Sequence, residues 1–229
     1  MASESTSPKP SITNTKAELQ YWLMKAEPDS RVVKGKDVKF SVDDFEAAGT
    51  TAWEGVRSYE ARNIMRDKMK VGDKVLFYHS NCKTPGIAAL AEVCKEAYPD
   101  HTAWDTSHPY YDAKTDKDNP RWYMVDVRFL HRVQHFVPLA VLKTLDAHEL
   151  EYLRDEHKAA VKSMALINKG RLSVQPVSQL AYEAITMMGE RGGFETEGKA
   201  AGAKRKRAEK EQGDKEEAGG RVTRQRRKR

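Results

Sequence analysis

Two cysteines in 229 residues, Cys82 and Cys94, stand in neither a C-x-x-C nor any other metal-spaced pattern. That excludes a disulfide-stapled scaffold and a zinc module, and leaves two reduced thiols in an intracellular protein as the expectation. No apolar stretch reaches the ~18 residues of a membrane span, and no apolar signal core follows the first Met, so neither a membrane partner nor secretion is expected. The motifs of common chemistries are missing too: there is no G-x-S-x-G, no Walker loop, no G-x-G-x-x-G and no H-E-x-x-H. His131 and His135 are four apart without the third ligand that a metal needs, and the neighbours His79 and Ser80 point to opposite faces of a strand. No catalytic residue, cofactor or metal is therefore expected.

Charge is plentiful but uneven. Residues 199–229 hold 13 Lys/Arg against 5 Asp/Glu, and the remaining 198 residues hold 27 against 29. The sequence pI of 9.1 thus describes the tail, and basicity gives no licence to read the rest as a nucleic-acid binder. Two clusters, Lys204, Arg205, Lys206, Arg207 and Arg226, Arg227, Lys228, Arg229, flank an acidic spacer. Such runs stay solvated; they suit a nuclear address read by an import receptor, or a phosphate-binding arm. Residues 1–20, rich in Ser, Thr, Pro and Lys, and residues 191–229 read as disordered flanks. One domain at 21–190 remains.

Within it, Tyr21 to Pro28 reads as a strand and Ser41 to Gly49 as a short capped helix. A helix starts near Ser58 and runs to about Lys68, with Ala61, Ile64 and Met65 inward. Lys74–Ser80 and Ile87–Ala97 read as strands, the second small and apolar on both faces as in a central strand. Residues 99–121 form a long loop. Arg121–Val133 alternates as a strand; Pro138–Leu142 and Ala147–His157 read as helical, Arg171–Pro176 as a strand, and Ser178–Met188 as a helix closed by Gly189. Strands and short helices without a regular βαβ rhythm point to an α+β fold, a small curved sheet or barrel with helices around it.

The stretch Trp53-Glu-Gly-Val-Arg-Ser-Tyr-Glu-Ala-Arg-Asn63 places a Trp in a polar, Gly-containing loop beside planar donors. A flat apolar face next to planar hydrogen-bonding groups can hold a nucleobase; equally, Trp53 can lid the core while the arginines brace the next helix. Polar residues also gather at strand ends: Lys25 and Glu27, Tyr78 to Asn81, Gly86, and Arg171 with Ser173. Each alone reads as a surface ion pair or a turn; together they suggest a pocket walled by Trp53.

Trp22-Leu-Met-Lys-Ala-Glu-Pro28, Trp53-Glu-Gly-Val-Arg57, Ala61-Arg-Asn63, Tyr78-His-Ser-Asn81, Gly86-Ile-Ala88, Tyr98-Pro-Asp100 and Arg171-Leu-Ser-Val-Gln-Pro176 resemble the EVE domain, in its order, from about Tyr21 to Met188. The resemblance implies a PUA-like fold, a curved mixed β-barrel with peripheral helices. It also implies kinship with YTH domains and binding of modified bases, chiefly modified cytosines in DNA. Carried over by position, Lys25, Ala26 and Glu27 line the pocket, Trp53 with Glu54 and Val56 forms its first aromatic wall, and Tyr78, His79, Ser80 and Asn81 close it. Tyr110 or Tyr111 in the long loop is the candidate for the opposite wall; Lys25, Glu27, Ser80 and Arg171 are expected to read the base edge, with Ser173 also in the pocket. Glu27 stands where YTH readers carry an amide; a carboxylate only accepts, which favours a ring offering an amino donor, as cytosine does. On this reading Trp53→Ala weakens base binding and spares the fold. A reader of modified RNA, an enzyme acting on modified nucleic acid and a protein-interaction module stay open as alternatives.

Overall fold

The computed structural model describes residues 19–168 and 170–194, so both basic clusters and the first 18 residues lie outside it. In chain order the elements begin with β1 (Tyr21–Ala26), β2 (Val32–Val33), β3 (Lys36–Asp37), α1 (Val42–Ala48), β4 (Thr50–Ala52) and α2 (Tyr59–Asp67). There follow β5 (Lys74–His79), β6 (Gly86–Pro99), a 3-10 turn at His101–Trp104, β7 (Tyr123–Pro138) and α3 (Leu139–Lys143). After a second 3-10 turn at Leu145–Ala147 come α4 (Asp155–Lys162), α5 (Ala165–Asn168), β8 (Val174–Val177) and α6 (Gln179–Arg191).

Trp22, Leu23 and Met24 are consecutive and all buried. Adjacent strand residues point to opposite faces, so β1 must be covered on both sides. It pairs in parallel with β5 and antiparallel with β8, inside a mixed sheet of order β4-β7-β6-β5-β1-β8. Trp22, Met24, Val75 and Phe77 join Phe45 of α1 and Ala61, Ile64 and Met65 of α2 on one face. Leu23, Leu76 and Ile87 meet Leu142, Val161, Ala184, Ile185 and Met188 from the later helices on the other. The alanines of β6, Ala88, Ala89 and Ala91, sit between β5 and β7, where small side chains let both faces pack closely. Register shifts recur along β6–β7, and each bends and twists the pair. The sheet with helices on both faces is thus the expected α+β arrangement, with β4 and β8 as its edge strands.

The short strands β2, β3 and β4 have no counterpart in the sequence reading, and four expected elements have a boundary displaced by more than two residues. Leu150 and Leu153 are buried from a loop rather than a helix, and α4 begins only at Asp155. The spacing of those leucines mimics a helix, but Asp155 and Glu156 mark the true first turn, where carboxylates suit the helix dipole. Gly189 lies inside α6, because a Cβ there would stand 2.8 Å from Val133 Cγ1; the helix ends instead at Gly192, whose φ is +63°. β8 starts at Val174, leaving Arg171 outside it, and tolerates Pro176 because it is an edge strand. β7 runs five residues past its expected end, to Pro138, along a stretch that pairs with the start of β6 and where burial no longer alternates.

Asp73 anchors the base of the sheet. Nearly buried, it accepts from the Trp22 indole Nε1 at 2.8 Å, the Gln20 amide at 3.1 Å and the Lys70 amide at 2.9 Å. Asp73→Ala leaves three donors without their acceptor. Thermal denaturation is expected to show a loss of about 1–3 kcal/mol, each kcal/mol lowering Tm by about 2–4 °C; an unchanged Tm would remove Asp73 from the set of structural anchors.

Candidate base-binding cavity

The staple at the start of α1 sets one wall of the cavity. Ser41 caps the helix and closes a capping box with Asp44, while Phe40, just before the cap, packs on Phe45 with ring centroids 5.7 Å apart. This fixes Phe40 edge-on to Trp53 at 6.4 Å. Trp53 in turn stands edge-on to Phe77 at 6.1 Å, and its amide donates to Val125 O at 2.8 Å, extending the β4 ladder.

Between these rings, the end of β1, the edge strand β4 and the loop 53–57 lies a cavity of about 620 Å³, within the usual range for small-ligand sites. Lys25, Ala26, Glu27, Trp53, Glu54, Val56, Tyr110 and Ser173 line it, as do Val38, Lys39, Phe40, Thr50, Thr51, Ala52, Gly55 and Arg57. Trp53 is only 8% exposed and belongs to the core cluster. Core lid and cavity wall are thus one side chain. Its burial contradicts the expectation that Trp53→Ala spares the fold, since truncating a buried Trp costs about 3–5 kcal/mol.

The polar rim is already wired. Lys25 Nζ donates to Gly170 O at 2.7 Å and lies 5.7 Å from the Tyr78 ring centroid; half-burial lowers the pKa of its ammonium group. Glu27 pairs with Arg31 at 2.5 Å, and Arg31 also donates to the Tyr110 hydroxyl at 3.3 Å. Glu54 lies 3.3 Å from His108. The Tyr110 ring rests on Gly55, whose φ is +75° and where an added Cβ would come within 2.6 Å of Tyr110 Cδ2.

Beneath the loop sits Asp100, whose side chain is fully buried. It accepts from the Gly55 amide at 3.0 Å, Arg57 Nη1 at 2.7 Å, the Thr102 amide at 3.0 Å and the Thr102 hydroxyl at 2.6 Å. Arg57 Nε also donates to Tyr110 O at 2.7 Å. Arg57 therefore braces the long loop against the Trp53 loop, and does not brace α2. Burial alone would push the Asp100 carboxyl up, but the bonds from Thr102, Arg57 and Gly55 outweigh it and hold it below the usual carboxylate range.

Several expected site residues are elsewhere. Tyr78 is buried in the cluster on the opposite face of the sheet, where burial pushes its hydroxyl up to about 12. His79 accepts the Val42 amide at 3.0 Å through Nε2, and burial lowers its pKa, so it anchors α1 as a neutral ring. Ser80 donates its amide and hydroxyl to Ala26 O at 2.8 and 3.1 Å, tying two strand ends together. Asn81 takes the left-handed turn at φ +51°. Of the two loop tyrosines, Tyr110 lines the cavity and Tyr111 does not, and Arg171 is exposed. The staple pattern around Ser41 was the available signal for Phe40; Arg57 and Asp100 lie 43 residues apart, and no local pattern joins them.

Asp100→Asn is expected to cost about 3 kcal/mol, by leaving the Arg57 charge without its partner. Urea denaturation across pH measures it. The wild-type contribution is complete above the unfolded-chain value of 3.8 and is lost as pH falls below that toward the lower folded value; the variant lacks this acid-side step. Gly55→Ala is expected to push the Tyr110 ring off the cavity wall in a crystal structure, and an unmoved ring would refute the packing described.

A family model of the EVE domain matches residues 20–188. Thymocyte nuclear protein 1 of Homo sapiens is 47% identical over 176 residues, 75% of this chain and 74% of that protein. Among solved structures, the human THYN1 protein in complex with 5-methylcytosine-containing DNA has a TM-score of 0.68 and 46% identity, covering 75% of this chain and 98% of that one. A hypothetical protein from Leishmania major reaches a TM-score of 0.63 at 45% identity, over 75% of this chain and 95% of that one. Matched in sequence and in fold over most of its length, the chain belongs to the EVE domain family.

Proposed function

We propose that this protein is a non-catalytic reader of modified bases in DNA, taking a modified cytosine into the cavity walled by Trp53. The carrying observation is the Trp53 ring itself, held edge-on by Phe40 and Phe77 while it lines a cavity open to polar side chains. A ring fixed in this way loses little entropy when a base packs on it. The complex of the similar human protein with 5-methylcytosine-containing DNA supports the choice of DNA and of cytosine.

Lys25, Glu27 and Ser173 meet the base edge in this reading. The Glu27 carboxylate has lone pairs beyond the one that Arg31 uses, and so can accept from a cytosine amino group. Tyr110 forms the second wall. Extrusion of the base costs a few kcal/mol, which stacking at about 1–3 kcal/mol and the edge contacts offset. The protein acts in the nucleus on this proposal; the basic clusters at 204–207 and 226–229 engage an import receptor, in keeping with the name of the human relative.

Fluorescence anisotropy on duplexes identical except for one 5-methylcytosine tests it. Wild type is expected to prefer the methylated duplex. Trp53→Phe, which keeps the core apolar, is expected to lose about tenfold in affinity for that duplex and to bind the unmodified one as before. Equal binding of both duplexes by wild type would defeat the proposal.

A further inference from the structure

Next to the cavity lies a second built surface that the base pocket does not use. Tyr59 is 54% exposed, unusual for so large a ring, yet it is not loose. It stacks on Trp122 at 5.0 Å with planes 24° apart, Arg62 lies 5.0 Å from its centroid, and Arg121 Nη1 donates to its hydroxyl at 3.3 Å. Arg62 also lies 5.8 Å from the Trp122 ring and donates to Arg121 O at 2.6 Å. One turn further along α2, Arg66 lies 5.7 Å from the Tyr123 ring. Aromatic rings interleaved with guanidinium groups form a ridge along one face of α2.

We infer that this ridge is the track for the DNA strand flanking the inserted base, with Tyr59 stacking a neighbouring base and Arg62, Arg66 and Arg121 meeting phosphates. The inference rests on the base-reading function proposed above. Continuity supports it: Arg57 lines the cavity and lies 5.5 Å from the Trp122 ring, and the Ser58 cap leads straight into Tyr59. A strand that delivers a base to Trp53 therefore leaves the cavity across this ridge.

Charge supports it as well. Residues 1–198 carry a slight acidic excess, yet cations concentrate here. Among the acids near these cations, Asp112 is held by the Trp122 indole at 2.7 Å, Asp67 by Arg66 at 2.7 Å and Asp100 by Arg57 at 2.7 Å, while Glu60 sits in the first turn of α2 and Asp116 accepts amides of its own turn. The exposed Arg66–Asp67 pair is weak in water and yields readily to a phosphate. Arginine beside an exposed, pre-positioned aromatic ring is the chemistry that holds single nucleic-acid strands without reading sequence.

The test uses the full chain, with methylated and unmethylated duplexes titrated at a series of salt concentrations. Arg66→Ala and Arg62→Ala are expected to weaken binding to both duplexes by the same factor and to preserve their ratio. Each is expected to reduce the slope of log affinity against log salt by about 0.9. Tyr59→Ala is expected to lose about fivefold or more on both duplexes with the slope unchanged. Arg66 is exposed and outside the core, so its variant keeps the test valid if Arg62→Ala disturbs the loop at Arg121. Wild-type affinities and slopes in all three variants would overturn the inference, as would a loss confined to the methylated duplex or seen only with matched RNA. If wild type shows no methyl preference, the base-reading proposal fails, while the salt slopes still judge the ridge.

Discussion

The buried carboxylate of Asp100 is the constraint on which the cavity depends. A charge withdrawn fully from water is tolerated only where donors surround it, and here they come from two loops: Gly55 and Arg57 from one, Thr102 from the other. Satisfying one side chain thereby sets the separation of the Trp53 and Tyr110 walls. The loop 53–57 has no regular element of its own, and the other has at this point only the 3-10 turn at His101–Trp104, which Asp100 caps. The ion pair does what a hydrogen-bonded strand would do elsewhere, and the rest of 99–121 is tied down by Asp112 on the Trp122 indole and by Thr115 on the Arg121 amide.

The second constraint is the double use of Trp53. It contributes to the core through Phe40 and Phe77 and to the cavity through the same ring. Stability and recognition are coupled there: whatever loosens the core around α1 also loosens the wall that a base would meet. The sandwich around β1 makes this possible. Helices α1 and α2 cover the cavity face of the sheet and α3 to α6 cover the other, so the strand end carrying Lys25 to Glu27 is held from both sides.

Much of this was legible in the order of residues. The aromatic and apolar run at 21–28 announced a strand, the small apolar residues of 87–97 a central one covered on both faces, and Ser41 with Asp44 announced α1. Trp53 in a glycine loop announced a special position. What misled were features with two uses. Gly189 resembles a helix stop but serves close packing on Val133, and the polar strand end 78–81 resembles a site but anchors α1 and β1. Arg171, close to Ser173 in sequence, lies exposed and off the cavity wall.

Sequence by itself determined the family, the sheet's central strands, the split between a nearly neutral domain and a basic tail, and the identity of the ring to watch. Tertiary structure alone decided which polar groups share the cavity, because hydrogen-bond partners such as Arg57 and Asp100 are chosen by distance in space and leave no period or spacing in the chain. It also decided that Trp53 is lid and wall at once. Burial is a property of what surrounds a residue, and the residues around Trp53, Phe40, Phe77 and Tyr110, arrive from three separate parts of the sequence.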